Sequence, residues 1–152
     1  MDYELRRVET PDDWRAMHDI RRRTLFTEER HPGVVYDENH PFDRDPSHQP
    51  FVLWLDGQPI GVARLDDRGE GDGVVRLVGI LPELQGQGHG RVLGALIEVE
   101  ERRRGMRRLM LNADPSAVGF YERMDWQTAA WDPSELAGIA SACVQMVKPL
   151  DR

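Results

Sequence analysis

Residues 84–91 read LQGQGHGR, which sets Gly86, Gly88 and Gly90 on alternate positions directly ahead of an apolar, helix-like run. Each glycine costs roughly 0.5 to 1 kcal/mol against alanine where the backbone is otherwise regular. Three together imply a backbone that needs positive φ or the close approach of another group. A passage from strand through glycine loop to helix N-terminus leaves several backbone N–H groups without partners, and such a nest binds anions, above all phosphate. Charge-assisted bonds of that kind contribute roughly 1.5 to 3 kcal/mol each, so two or three of them outweigh the glycine cost.

Working outward, the run VVRLVGI over residues 74–80 reads as a strand that leads into the glycines through Leu81-Pro82-Glu83. Two further strands precede it, at 51–55 and 60–65, with an Asp56-Gly57 turn between them, which suggests an antiparallel meander. After the glycines, Val92, Leu93, Leu96, Ile97 and Val99 keep an approximate helical stripe, with Glu98, Glu100, Glu101 and the arginines 102–104 assigned to the solvent side. Gly105 ends that helix, and its last-turn arginines suit the helix dipole. Near the start, residues 3–8 read as a strand. Thr10 is a helix N-cap, Pro11 its first position, and Trp14, Met17, Ile20 and Leu25 the buried stripe of a helix over 11–26. A strand at 108–111, a short helix at 116–124 and a strand at 142–147 complete the pattern. The expectation is one α/β domain over residues 1–152, an α+β mixed sheet built from a meander, a βαβ unit and a terminal strand.

Residues 28–50 (EERHPGVVYDENHPFDRDPSHQP) are rich in Pro, Asp and His and hold no sustained period. A loop of that length in a compact domain is functional or mobile.

Composition narrows the partners. A formal net charge of -7 and a pI near 5.2 argue against nucleic-acid or anionic-membrane binding. Lys148 is the only lysine, and the arginine runs 21–23 and 102–104 read as solvated helix faces or ends. The single cysteine, Cys143, excludes an intrachain disulfide, no apolar run reaches the length of a membrane span, and the N-terminus lacks a signal-peptide core. A cytoplasmic setting is the default expectation.

Spacing excludes two familiar phosphate cradles. No Gly-Lys pair exists for a P-loop, and three residues after Gly88 and Gly90 stand Arg91 and Leu93 rather than the glycine or alanine of the dinucleotide fingerprint. What remains is Q-x-x-G-x-G, carried by Gln85, Gly88 and Gly90. That pattern resembles the acyl-CoA-binding motif [Q/R]-x-x-G-x-[G/A] of the GNAT (GCN5-related N-acetyltransferase) superfamily. The likeness extends to the preceding VVRLVGILPEL, to AVGFYERMDW at 117–126, which is similar to the family's A-x-x-F-Y-E-x-x-G-F segment, and to the closing GIASACVQMVKPL. With the N-terminal DWRAMHDIRRRTLF it covers nearly the whole chain.

The resemblance implies a splayed mixed sheet and acetyl-CoA as acyl donor. It implies that main-chain groups of Val78, Gly79 and Ile80 meet the pantetheine arm. It assigns the pyrophosphate to the loop opened by Gln85, namely Gly86, Gln87, Gly88, His89, Gly90 and Arg91. Phe120 and Asp114 join the cofactor side, Asp114 standing where many members carry Asn or Gln. Tyr121 matches the tyrosine that hydrogen-bonds or protonates the leaving thiolate. Asp125 replaces the usual glycine before the aromatic, which implies a strained turn there or a turn of another type.

The implied activity is N-acetylation of a small-molecule or peptide amine by direct attack on the thioester; a non-catalytic sensor domain binding CoA or another phosphorylated ligand is the alternative. Proton acceptors for the amine come from the long loop: Glu28, Glu29, His31, Asp37, Glu38, His40 and His48, with Glu29 and His40 preferred. The loop's acidity suits a cationic amine. His31, His40 and His48 lack helical ligand spacing and a cysteine partner, so no metal is expected. Pairing of two copies through the C-terminal strand is a further expectation.

Overall fold

A computed structural model describes residues 1–150. Seven strands form one sheet in the order β1-β2-β3-β4-β5-β7-β6. β1 (Tyr3–Arg7), β2 (His48–Leu55), β3 (Gln58–Gly69) and β4 (Asp72–Ile80) make the antiparallel meander that the turn signals predict. The β2–β3 hairpin closes on Asp56 and Gly57, both at positive φ (49° and 83°), which matches the right-handed twist of paired strands. β4 then pairs in parallel with β5 (Arg108–Ala113), which pairs antiparallel with β7 (Val144–Pro149), and β7 with the short β6 (Gln127–Thr128).

Helix α1 (Pro11–Thr24) opens on a capping box: the Asp13 N–H donates to Thr10 Oγ1 (3.1 Å) and the Thr10 N–H to Asp13 Oδ2 (3.0 Å). Met17 and Ile20 are buried against Val52, Val62 and Leu81 on one face of the sheet, with Trp14 and Leu25 packed at the edge. Helix α2 (His89–Arg103) and the short α3 (Val118–Glu122) cover the other face, where Leu93 and Ile97 join Phe51, Leu53, Leu65, Leu109, Leu111 and Met146. Strand alternation explains the division, since Val52 faces α1 while its neighbours Phe51 and Leu53 face α2. Gly105 (φ 78°) terminates α2 as its position predicts.

Four expectations fail, one of them Glu100, assigned to the solvent side of α2 but 7% exposed and paired with Arg7, Arg103 and Arg104. Arg21, assigned to a solvated face, is 2% exposed and bidentate to Asp43 at 2.8 and 3.0 Å. Glu101, assigned to the solvent side of α2, is 0% exposed, because it follows Leu93 and Ile97 at successive i+4 positions. Val99, placed in the stripe, is exposed. At Asp125 the strained alternative holds: φ is 70°, and the Trp126 N–H reaches back to the Tyr121 carbonyl (3.0 Å), a left-handed helix stop built without glycine.

Candidate active site

β4 and β5 share only the pairs Asp72↔Arg108, Gly73↔Leu109 and Val74↔Met110. Beyond them the sheet splits, and the opening is the floor of a cleft of about 990 Å³. A bulge sharpens the split. Leu77 and Val78 of β4 oppose Ala63 alone on β3, and Leu77 sits at φ 54°, a conformation a leucine adopts only under constraint. The bulged segment 77–80 therefore presents an edge with no partner strand on the β5 side. Gly79 serves packing, since a Cβ there would lie 2.7 Å from Thr24 Oγ1. The Gln85 side chain donates to the Ile80 carbonyl (2.9 Å), so Gln85 braces the end of β4.

The three glycines divide by cause. Gly86 (φ 77°) and Gly88 (φ 91°) need positive φ and face open space, while Gly90 lies in the first turn of α2, where a Cβ would meet Phe120 Cζ at 3.2 Å. Gly88 caps α2 in a left-handed conformation without any side-chain hydrogen bond. Among the described residues the amides of 86–91 have no acceptor. Arg91 beside them is exposed and forms no ion pair among the described residues. Gln87 is exposed, its amide 3.4 Å from the Glu83 carbonyl. The His89 side chain points inward, buried, with Nδ1 2.8 Å from Tyr3 Oη, so only its main chain belongs to the cradle.

Tyr121 and Phe120 stand in the cleft wall opposite β4. No group among the described residues hydrogen-bonds the Tyr121 hydroxyl, and burial pushes its pKa up to about 12. It is a protonated donor without a protein acceptor. Asp114 caps the turn at 115–117 through the Ser116 N–H (3.0 Å), and the Ser116 bonds hold its carboxyl below the usual range. Asp114 lines the cleft and lies in electrostatic reach of Arg30 and His31.

Several carboxylates of the acidic loop are already engaged. Glu38 pairs with Arg22, Asp43 with Arg21 and Arg64, and Asp37 accepts the Asn39 N–H. Glu29 is exposed and outside the cleft wall. His40 lines the cleft, but its Nδ1 accepts the Phe42 N–H (3.2 Å), which occupies the lone pair a base needs. His48 is tied to the Phe42 carbonyl and to Asp66. Glu28 accepts the Gly33 N–H and lies outside the cleft wall, which leaves His31 and Asp37 there: the Asp37 carboxylate accepts one N–H and keeps other lone pairs, and neither His31 ring nitrogen has a hydrogen-bond partner among the described residues. Among the described residues no cluster of His, Cys, Asp and Glu suits a metal ion.

The cleft floor carries an ionic chain that sequence reasoning missed. Arg64 bonds Asp43 (3.2 Å) and Asp66 (2.8 Å), Arg76 bonds Asp66 and Glu135 (both 2.8 Å), and Asn112 donates to Glu135 (3.1 Å). Burial alone would raise the Asp43 pKa, but Arg21 and Arg64 hold it low. The alternation of Arg64 and Asp66 on β3 with Arg76 on β4 was a visible signal, since a charged residue on the inner face of a meander needs a partner.

A seven-stranded mixed sheet split between a bulged β4 and β5, with a bare-amide cradle at the next helix, defines an acyl-CoA-dependent transferase fold. The chain belongs to the acetyltransferase (GNAT) family, whose description matches residues 14–126. It is 32% identical over 96 residues to serotonin N-acetyltransferase 2, chloroplastic, of Oryza sativa subsp. japonica, a match covering 59% of this chain and 46% of the rice protein. The chain thus spans about half the length of that relative. Its fold is similar to the ribosomal-protein-S18-alanine N-acetyltransferase of Escherichia coli (TM-score 0.76, 18% identity, 99% of this chain and 96% of that one). It is also similar to an acyl-CoA N-acyltransferase of Pseudomonas aeruginosa (0.74, 20%, 97% and 98%). The PaiA N-acetyltransferase of Thermoplasma acidophilum, solved with coenzyme A, gives 0.72 at 13% identity over 99% and 100%. The residues present fit acetyl-CoA, the family's donor: open positive-φ glycines, unpartnered amides, a free arginine and a strand edge in line with them. No helix among the described residues is long and apolar enough to cross a membrane.

Proposed function

We propose that this chain moves an acetyl group from acetyl-CoA to the amine of a small molecule or peptide by direct attack on the thioester, with no covalent enzyme intermediate. The observation that carries the reading is the Tyr121 hydroxyl, protonated and unpartnered in the wall where the sheet splits. The amides of 86–91 with Arg91 hold the pyrophosphate, and the free edge at Val78 and Gly79 aligns the pantetheine arm as an added strand would. The amine nitrogen forms the C–N bond, the C–S bond breaks, and the thiolate sulfur receives its hydrogen bond and proton from Tyr121. A phenol at about 12 facing a thiol of about 8.5 makes complete prior transfer uphill by roughly 5 kcal/mol, so donation accompanies C–S cleavage. His31 takes the proton that the amine loses; its free nitrogens favour it over Glu29 and His40. A reducing compartment such as the cytoplasm suits the single Cys143.

The test follows thiol release from acetyl-CoA over a panel of amines, alongside calorimetric CoA binding. Tyr121→Phe is expected to lower kcat about 100-fold with CoA affinity unchanged. Wild-type turnover by Tyr121→Phe removes the tyrosine from the mechanism, and CoA binding with no amine acetylated leaves a sensor domain.

A further inference from the structure

Three of the exposed large apolar side chains share one site. Val35 (88% exposed), Phe42 (54%) and Ile139 (57%) all line the cleft, and Val34 adjoins the first. They come from three separate segments: the long loop, the helical turn Pro41–Arg44 and the turn Gly138–Ala140. The chain as a whole is polar, with 31% charged residues and a mean hydropathy of -0.59. Exposed apolar side chains gathered along one concave site mark a ligand surface, whereas isolated cases such as Met1 and Val99 do not. Charge at this end points the same way. The carboxylates of Asp43, Asp66 and Glu135 are taken up by Arg21, Arg64 and Arg76, while Asp37 and Asp114, which also line the cleft, form no ion pair among the described residues and are left to attract the ammonium group of an amine.

We propose that the acceptor is a small primary amine with an apolar aliphatic or aromatic body, seated against Val35, Phe42 and Ile139 with its nitrogen directed at the thioester. This rests on the acetyl-transfer reading above. The cleft of about 990 Å³ must hold the pantetheine arm and the acceptor together, which favours a small molecule over a peptide segment.

The 152-residue chain with saturating acetyl-CoA would be assayed for thiol release with 2-phenylethylamine, isoamylamine, ethanolamine, spermidine and a tripeptide bearing N-terminal leucine. Burial of one side-chain-sized apolar group predicts kcat/KM at least tenfold higher for the first two than for ethanolamine or spermidine. Val35→Ser and Ile139→Ser, both at exposed positions, are expected to raise KM for 2-phenylethylamine several-fold and leave KM for acetyl-CoA unchanged. Equal kcat/KM across the small amines, preference for spermidine, or a tenfold preference for the tripeptide overturns the acceptor class while leaving acetyl transfer intact. Turnover of none of these or of the wider amine panel sinks acetyl transfer itself, and the acceptor class with it.

Discussion

Replacing Glu101 with glutamine should change how stability depends on pH more than any other single substitution in α2. Its carboxylate is fully buried, neither oxygen has a hydrogen-bond partner among the described residues, and it lines a cavity of about 30 Å³ with Tyr121, Met124 and Trp126. A cavity of that size holds one or two waters. Burial first, and the Glu98 charge second, raise the pKa from 4.5 to about 9. The folded state thus keeps a proton that the unfolded chain releases. Its stabilising effect is complete below pH 4.5 and is lost progressively as pH rises toward 9, at about 1.4 kcal/mol per pH unit. Between 4.5 and pH 7 the loss comes to about 3 kcal/mol. Glutamine has nearly the same shape and no proton to lose, so the variant lacks this dependence. Urea unfolding of both proteins at pH 5, 6, 7 and 8 measures it, because the titrations of all other groups are common to the pair and cancel. The variant's stability relative to wild type should climb steadily across the series. A difference constant within about 0.5 kcal/mol from pH 5 to 8 would refute the account of Glu101 as a neutral buried acid.

Three further expectations follow from local geometry. Gly88→Ala puts a Cβ into the open cradle at φ 91°; CoA affinity measured by calorimetry should fall at least tenfold, and unchanged affinity would show that these amides hold no anion. Asp43→Asn leaves Arg21 and Arg64 facing an uncharged group in a buried site, so chemical denaturation should show a loss of about 3 to 5 kcal/mol, against which a loss under 1 kcal/mol would mean that solvent screens the pair. Asp125→Gly relieves a left-handed residue and should raise stability by about 1 kcal/mol in thermal unfolding; a lowered melting temperature would mean the aspartate is held there by its side chain.

Local devices were legible because they act within a few residues. Thr10 with Asp13, the Asp56-Gly57 turn, Gly105 as a stop and the need for positive φ at Gly86 and Gly88 each depend on neighbouring backbone. Tyr121 was found through its motif, and its lack of a protein partner became visible only when the cleft wall around it was complete. The proposed base shifts from Glu29 and His40 to His31 for the complementary reason. Glu29 and His40 resemble His31 in sequence, and only the Phe42 N–H on His40 and the position of Glu29 outside the cleft separate them.

What the sequence determined by itself is the positive φ of Gly86 and Gly88, the order of the helices and of every strand but the two-residue β6, and the family. The tertiary structure alone decided which charges are partners. Arg21 meets Asp43 across 22 residues, Arg64 meets it across 21, and Arg76 meets Glu135 across 59. Such pairs depend on strand register and on which face of the sheet a helix covers, and a bulge or a change of face reassigns them without altering one letter of the sequence.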